Sequence, residues 1–342
     1  ATYAEMALAG YTVVGEFHYV HHAPDGSRYD DPNAMGAALA QAAAEVGVRL
    51  TLIDTAYLAG GLTAAGHVPA EGVQRRFSDG SADKWAERFG LLHQTEMLRV
   101  GAAIHSVRRV PKDAAREIVE VVGDRPLHVY VSEQPSENLA CQMHYGCSPT
   151  ELLAQIGALG PELTAVHATH LTDSDLDLLA EYEAQVVVCP SSEQDLGDGI
   201  APARAMVDRG ISMGVGSDQN AIIDPFAEVR EMEMHERLAS GERARVPAEA
   251  LVRAATIGGY QCLGWYDGGA IAPGMLADFV TVDLESLRTV GCKPSQVIFT
   301  ASAADVLNVV VGGKTVVEER EHKFGPVVPL MREALSLLRD LT

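Results

Sequence analysis

Seven short apolar runs recur along the chain, at residues 11–20, 49–58, 100–107, 127–132, 163–169, 184–189 and 212–217. Polar or amphipathic stretches of helical length lie between them, including 33–46, 111–122, 148–158, 173–183 and 202–208. A strand that is apolar on both sides has to be buried on both faces, which a parallel sheet covered by helices provides. Doubly wound sheets rarely string together so many consecutive units, whereas a (β/α)8 barrel needs eight. The expected fold is therefore α/β, a (β/α)8 TIM-type barrel with its first strand absent from this chain. The chain opens on a helix-like segment, 1–8, so the periodicity places that strand before residue 1.

After residue 220 the texture changes. Residues 225–240 read as a charged helix and 247–260 as another. The tail then reads as β over 274–283 and 306–318, with Gly312-Gly313 as a turn, and ends in an amphipathic helix over about 328–341. The expected organisation is a barrel over 1–265, a small β-sandwich-like unit over 266–320 and a C-terminal helix over 321–342.

Composition narrows the function. The 342 residues are 47% hydrophobic, enough for a large core. With 26 basic against 47 acidic residues the formal charge is −21, the wrong balance for a protein that reads nucleic-acid phosphates. A local arginine pocket can still take an anionic substrate. No apolar run approaches the roughly 18 residues of a membrane span. Five cysteines, odd in number and without a CxxC, suit a reducing cytoplasm.

In a barrel the chemistry sits at the C-terminal strand ends. The first run ends Glu16-Phe17-His18-Tyr19-Val20-His21-His22 and the third ends Ile104-His105-Ser106-Val107-Arg108. The fourth carries His128, Tyr130, Ser132 and Glu133; the fifth ends His167-Ala168-Thr169-His170; the seventh ends Gly216-Ser217-Asp218. Histidines and carboxylates on five strand ends converge on one mouth, which points to a metal-assisted hydrolase. His128 reads as a barrel-interior residue, while His21, His22 and His170 read as supporting residues. Cys189 has no paired base and is not read as a nucleophile.

These strings, with Ser132-Glu133-Gln134, Cys189-Pro190-Ser191-Ser192-Glu193 and Leu196-Gly197-Asp198-Gly199, occur in an order that resembles the formimidoylglutamate deiminases of the amidohydrolase superfamily. The resemblance implies one Zn²⁺ whose bound water attacks the formimino carbon of N-formimino-L-glutamate, releasing ammonia and N-formyl-L-glutamate in histidine degradation. It implies that Asp218 binds the metal and accepts a proton, that Glu133 shuttles a proton to the leaving nitrogen, and that His167 steadies the nucleophile. Tyr19, His105 and Arg108 would anchor the dicarboxylate substrate. A homodimer is what the resemblance implies for assembly.

The sequence departs from that pattern in two places. The family's His-x-His pair occurs nowhere in these 342 residues, and Tyr130 stands where the family has a metal-binding histidine, three residues before Glu133. A neutral phenol is a poor zinc ligand. Two other readings stay open: a metal-free or fragmentary relative that only binds an acidic amino-acid derivative, and an amidohydrolase acting on another amidine or a ring-amino substrate.

Overall fold

The computed structural model describes residues 1–339. After α1 (Thr2–Leu8) the chain lays down β1 (Val13–His18), α2 (Ala34–Val46) and β2 (Arg49–Ala56), then a short hairpin of β3 (Gly61–Thr63) and β4 (Gly66–Val68). Next come α3 (Ala82–Phe89), β5 (Leu98–Ser106), α4 (Lys112–Val122), β6 (Leu127–Val131), α5 (Pro135–Tyr145), α6 (Pro149–Gln155) and β7 (Leu163–His167). The pattern continues with α7 (Asp173–Glu181), β8 (Gln185–Val188), α8 (Pro190–Leu196), α9 (Ala203–Asp208), β9 (Met213–Val215) and α10 (Pro225–Ser240). Each of the seven apolar runs corresponds to one strand, β5 starting two residues ahead of its run at Leu98. They form one parallel sheet in the order β1-β2-β5-β6-β7-β8-β9.

Local chemistry sets the boundaries. All eight residues of β2 are buried, as a strand covered on both faces requires. Ser148 and Thr172 close capping boxes with Glu151 and Asp175 at the starts of α6 and α7, and Pro149 occupies the first turn of α6. Asp224 accepts the Phe226 and Ala227 N–H groups to start α10. Gly47, at φ 97°, ends α2 in the left-handed region where a side chain is strained.

The sheet does not close. β1 and β9 each have a single strand neighbour among the described residues, so a slot remains between them. This is a (β/α)8-type sheet short of one strand, as the periodicity implied.

After α10, α11 (Ala248–Arg253) runs through a π-helical turn into α12 (Gly259–Cys262). The tail builds β10 (Phe279–Val282), α13 (Val297–Thr300), β11 (Val306–Val311), β12 (Lys314–Glu318), β13 (Glu321–His322) and α14 (Val327–Arg339). Its four strands make one antiparallel sheet, order β10-β11-β12-β13, rather than a sandwich. That sheet packs on α1 and α2: Val309, Val311, Val316 and Val317 share a core with Tyr3, Met6, Ala43 and Val46. The strand expected over 274–283 spans only Phe279–Val282. Asp278 is turned inward instead, accepting from Arg49 (2.7 Å), Tyr260 (2.7 Å) and the Gly312 N–H (2.6 Å). Residues 321–322, expected in the last helix, pair with β12, and the end of the expected helix at 340–341 lies outside the described residues. Among the described residues no helix is long and apolar enough to cross a membrane.

The interior carries histidines that resist charging. His128 lies inside the barrel with Nε2 2.8 Å from the Cys262 carbonyl, and burial lowers it to about 4. Burial also lowers His18 to about 3 and moves His21 and His105 the same way. Unfolded imidazoles take up protons near pH 6.5, so the unfolded chain binds more protons below that value and stability falls as pH drops, by roughly 1 kcal/mol per unit per histidine. Glu137 and Glu228, raised by burial to about 7, oppose this because the folded state holds their protons longer. The histidines outnumber them. Urea unfolding is expected to show lower stability at pH 5 than at pH 7, with a shallower decline in His128→Asn. A profile that rises on acidification would overturn this assignment.

Candidate functional site

The C-terminal strand ends surround a cavity of about 870 Å³ that runs from the barrel mouth into the slot between β1 and β9. Tyr19, His105, Arg108, Tyr130, Glu133, His167 and Asp218 all line it. The sequence-predicted site residues are thus brought to one space. Three of them sit on or beside left-handed backbone: His167 at φ 68°, Asp218 at φ 40°, and Ser132, just before Glu133, at φ 50°. Each such non-glycine residue costs on the order of 1–3 kcal/mol, and such costs cluster where side chains must be aimed.

His105 reaches the cavity through a β-bulge. The pairing of β5 with β6 steps from Ile104↔Val129 to Ser106↔Tyr130, which leaves His105 as the extra residue. Its ring lies among Tyr57 (4.9 Å), Tyr19 (5.2 Å) and Tyr130 (5.3 Å). Burial, then the charges of Arg108 and Arg109, hold it well below the usual histidine range. It therefore offers a substrate a hydrogen bond rather than a charge. Tyr19 stands edge-on to Phe77 at 5.1 Å, and burial raises its phenol pKa, so it remains a neutral O–H.

Arg108 is already engaged. Its Nη2 donates to Glu133 Oε2 at 2.5 Å, and its Nε lies 3.7 Å from Glu137 Oε2. Glu137, in the first turn of α5, is fully buried; it accepts the Glu133 N–H at 3.1 Å and leaves Oε1 without a partner. Across the mouth the same device recurs. Glu193, in the first turn of α8, accepts the Cys189 N–H at 2.9 Å and stands 3.5 Å from His167 Nδ1. Burial pulls the His167 pKa down, but the Glu193 carboxylate, with Glu133 and Asp218, outweighs it and raises the pKa. The cavity thus holds an imidazole that charges readily, backed by a buried carboxylate, opposite a carboxylate paired to a guanidinium.

Glu137 and Glu193 had no role in the sequence reading. The signal was present in both: a strand end, then proline, then a glutamate four residues after the group whose N–H it accepts. His170 Nε2 lies 2.6 Å from the Asp198 carbonyl oxygen, and Gln134 donates to the Asp198 carboxylate at 2.9 Å. His21 and His22 lie behind the mouth on the Thr55 and Ser78 carbonyls. A second buried network, also absent from that reading, joins Arg88 to Asp54 (2.5 Å) and Asp79 (2.9 Å), with Trp85 on Asp54 (2.8 Å). Burial, followed by the Asp218 charge, pushes the Cys189 thiol well above its ordinary value, which fits no nucleophilic role.

The zinc implied by the sequence pattern meets a poor donor set. Tyr130, which stands in the place of the family's metal-binding histidine, stacks on Phe17 at 4.1 Å and donates its O–H to Asp218 Oδ1 at 3.0 Å. Burial, then the Asp218 charge, drives its pKa well above 10, so it is a protonated hydrogen-bond donor and not a ligand. Asp218 is the carboxylate that it occupies. Among the described residues no three His, Cys, Asp or Glu side chains gather closely enough to hold a metal ion. The residues present do not fit zinc.

Comparison with known proteins places the chain. The formimidoylglutamate deiminase of Pseudomonas aeruginosa is 32% identical over 334 residues, which is 94% of this chain and 73% of that protein. The chain spans 52% and 59% of two further curated relatives. Among solved structures, an amidohydrolase from Brucella melitensis superposes with a TM-score of 0.87 at 30% identity, covering 98% of this chain and 75% of that one. An adenosine deaminase from Xanthomonas campestris, solved with bound zinc, gives 0.81 at 26% identity, covering 97% and 72%. The Amidohydrolase family matches residues 2–316. With its parallel sheet, its strand-end cavity and a family match over nearly its whole length, the chain belongs to the Amidohydrolase family.

Proposed function

We propose that the cavity recognises N-formimino-L-glutamate and is the recognition and proton-handling side of a site for its hydrolytic deimination, the reaction in which water adds to the formimino carbon and ammonia leaves. The observation that carries this reading is Arg108 at the cavity wall beside Glu133 and the aromatic ring of Tyr19, His105 and Tyr57, within a chain 32% identical to a formimidoylglutamate deiminase. A forked guanidinium suits a carboxylate, whereas a neutral purine gives it no partner. On this reading Arg108 shifts from Glu133 to share the substrate carboxylate, which frees the Glu133 carboxylate to take one proton from the attacking water and hand it to the leaving nitrogen. His167, whose charged form Glu193 favours, donates a hydrogen bond toward the developing negative charge. Asp218, released by Tyr130, is the second proton acceptor.

The same reading separates recognition from turnover. The substrate-facing and proton-handling groups are present, while the donors that would hold zinc are not complete among the described residues. In that respect the chain combines the deiminase lineage with the binding-only alternative.

Calorimetric titration of the whole chain with N-formimino-L-glutamate is expected to give saturable binding. Arg108→Ala should weaken it about tenfold to a hundredfold, the worth of one charged hydrogen bond. Binding that is unaffected by that change would refute the placement. For the metal, Tyr130→His is expected to raise zinc affinity at least about tenfold, because it replaces a neutral phenol beside Asp218 with an imidazole. Zinc binding that is tight in the parent chain and indifferent to this substitution would show that the donor set had been misjudged.

A further inference from the structure

Two arginines follow β5 in succession, and the turn that carries them sends them to different surroundings. The turn is fixed: the Arg109 and Val110 N–H groups donate to the Ser106 carbonyl at 3.0 and 3.1 Å, and the Arg109 carbonyl accepts from Leu58 and Ala59 at 3.0 and 2.8 Å. Arg108 reaches two carboxylates, Glu133 and Glu137. Arg109 also lines the cavity, but its guanidinium carbon lies 5.3 Å from the centre of the Tyr57 ring. Among the described residues, the acid groups near this turn pair with Arg108, and no Arg109 ion pair accompanies them. The Arg109 Nε is buried and has no hydrogen-bond partner.

A buried guanidinium N–H without an acceptor is costly, and a cation that nothing neutralises inside a cavity draws an anion to it. Tyr57 holds the guanidinium by cation–π attraction and by a hydrogen bond, and Arg109, lining the cavity without a carboxylate partner among the described residues, keeps further N–H donors that a ligand carboxylate can take. Arg108 cannot serve both ends of a doubly charged ligand, because its own charge is already shared between Glu133 and Glu137.

We infer that Arg109 is a second carboxylate-binding residue of this cavity, so that Arg108 and Arg109 together select a short dicarboxylate over a monocarboxylate. This deepens the reading above and rests on it, since it assigns Arg109 to the substrate carboxylate that Arg108 does not hold. Arg109 acts in specificity and takes no part in bond making or breaking.

The test compares glutarate with valerate, the monocarboxylate of equal chain length, by calorimetric titration of the whole chain. The parent chain is expected to bind glutarate at least about tenfold more tightly than valerate. Arg109→Gln should lower glutarate affinity about tenfold and leave valerate where it was, which erases the preference; Arg109→Lys should restore part of it, since it keeps the charge and loses the fork. Thermal unfolding of the variants separates this from damage to the Tyr57 packing, which would weaken both ligands together. If Arg109→Gln changes both affinities equally or neither, the inference falls. If glutarate binding is lost in Arg108→Gln but kept in Arg109→Gln, the inference falls and the proposed function stands. If the parent chain binds neither ligand, both fall.

Discussion

Parallel pairing is the constraint on which the rest of this molecule depends. Seven strands hydrogen-bonded side by side in one direction must all present their C-terminal ends on the same side of the sheet. Residues as distant in sequence as Tyr19 and Asp218 therefore face one cavity. The helices between the strands cover the outer face, and the shared core runs without a break from Val100 on β5 to Met213 on β9. At the other end of the barrel, Arg49 leaves the start of β2 to pair with Asp278, which ties the sheet to the antiparallel tail. Where pairing stops, at β1 and β9, the cavity continues into the slot.

Within that frame the site is a problem in placing charge. Arg108 between Glu133 and Glu137 leaves one negative charge in excess, and the Glu137 carboxyl responds to burial by rising to about 7. Across the cavity Glu193 does the opposite for His167, favouring its charged form. Two first-turn glutamates thus behave differently: burial shifts Glu137 itself, whereas Glu193 shifts its partner His167. Tyr130 and Asp218 complete the picture: a protonated phenol on a carboxylate is a satisfied pair, and it occupies the oxygen that a cation would need.

Much of the fold was legible because a strand buried on both faces leaves an unbroken apolar run, and the seven runs correspond to seven strands. The convergence of Tyr19, His105, Arg108, Glu133, His167 and Asp218 followed from their positions at strand ends. What could not be read depends on register or on distant partners. The bulge that turns His105 inward is a property of the β5–β6 pairing, not of the residues near 105. Asp54, Asp79 and Arg88 look like solvated charges in the sequence and become a buried network only when β2 and α3 meet. The β3–β4 hairpin has strands of three residues, too short for any periodicity. Residues 274–283 alternate like a strand, but the pull of Arg49 and Tyr260 on Asp278 takes the first half out of the sheet.

The central claim is that these residues form the recognition and proton-handling side of a deiminase site without a complete set of metal ligands. Ammonia release from N-formimino-L-glutamate, measured on the folded chain in zinc-containing buffer, tests it most directly. The account predicts no ammonia above the enzyme-free blank. Sustained release that disappears in Asp218→Asn would contradict it, and would mean that the site assembles around Tyr130 as it stands.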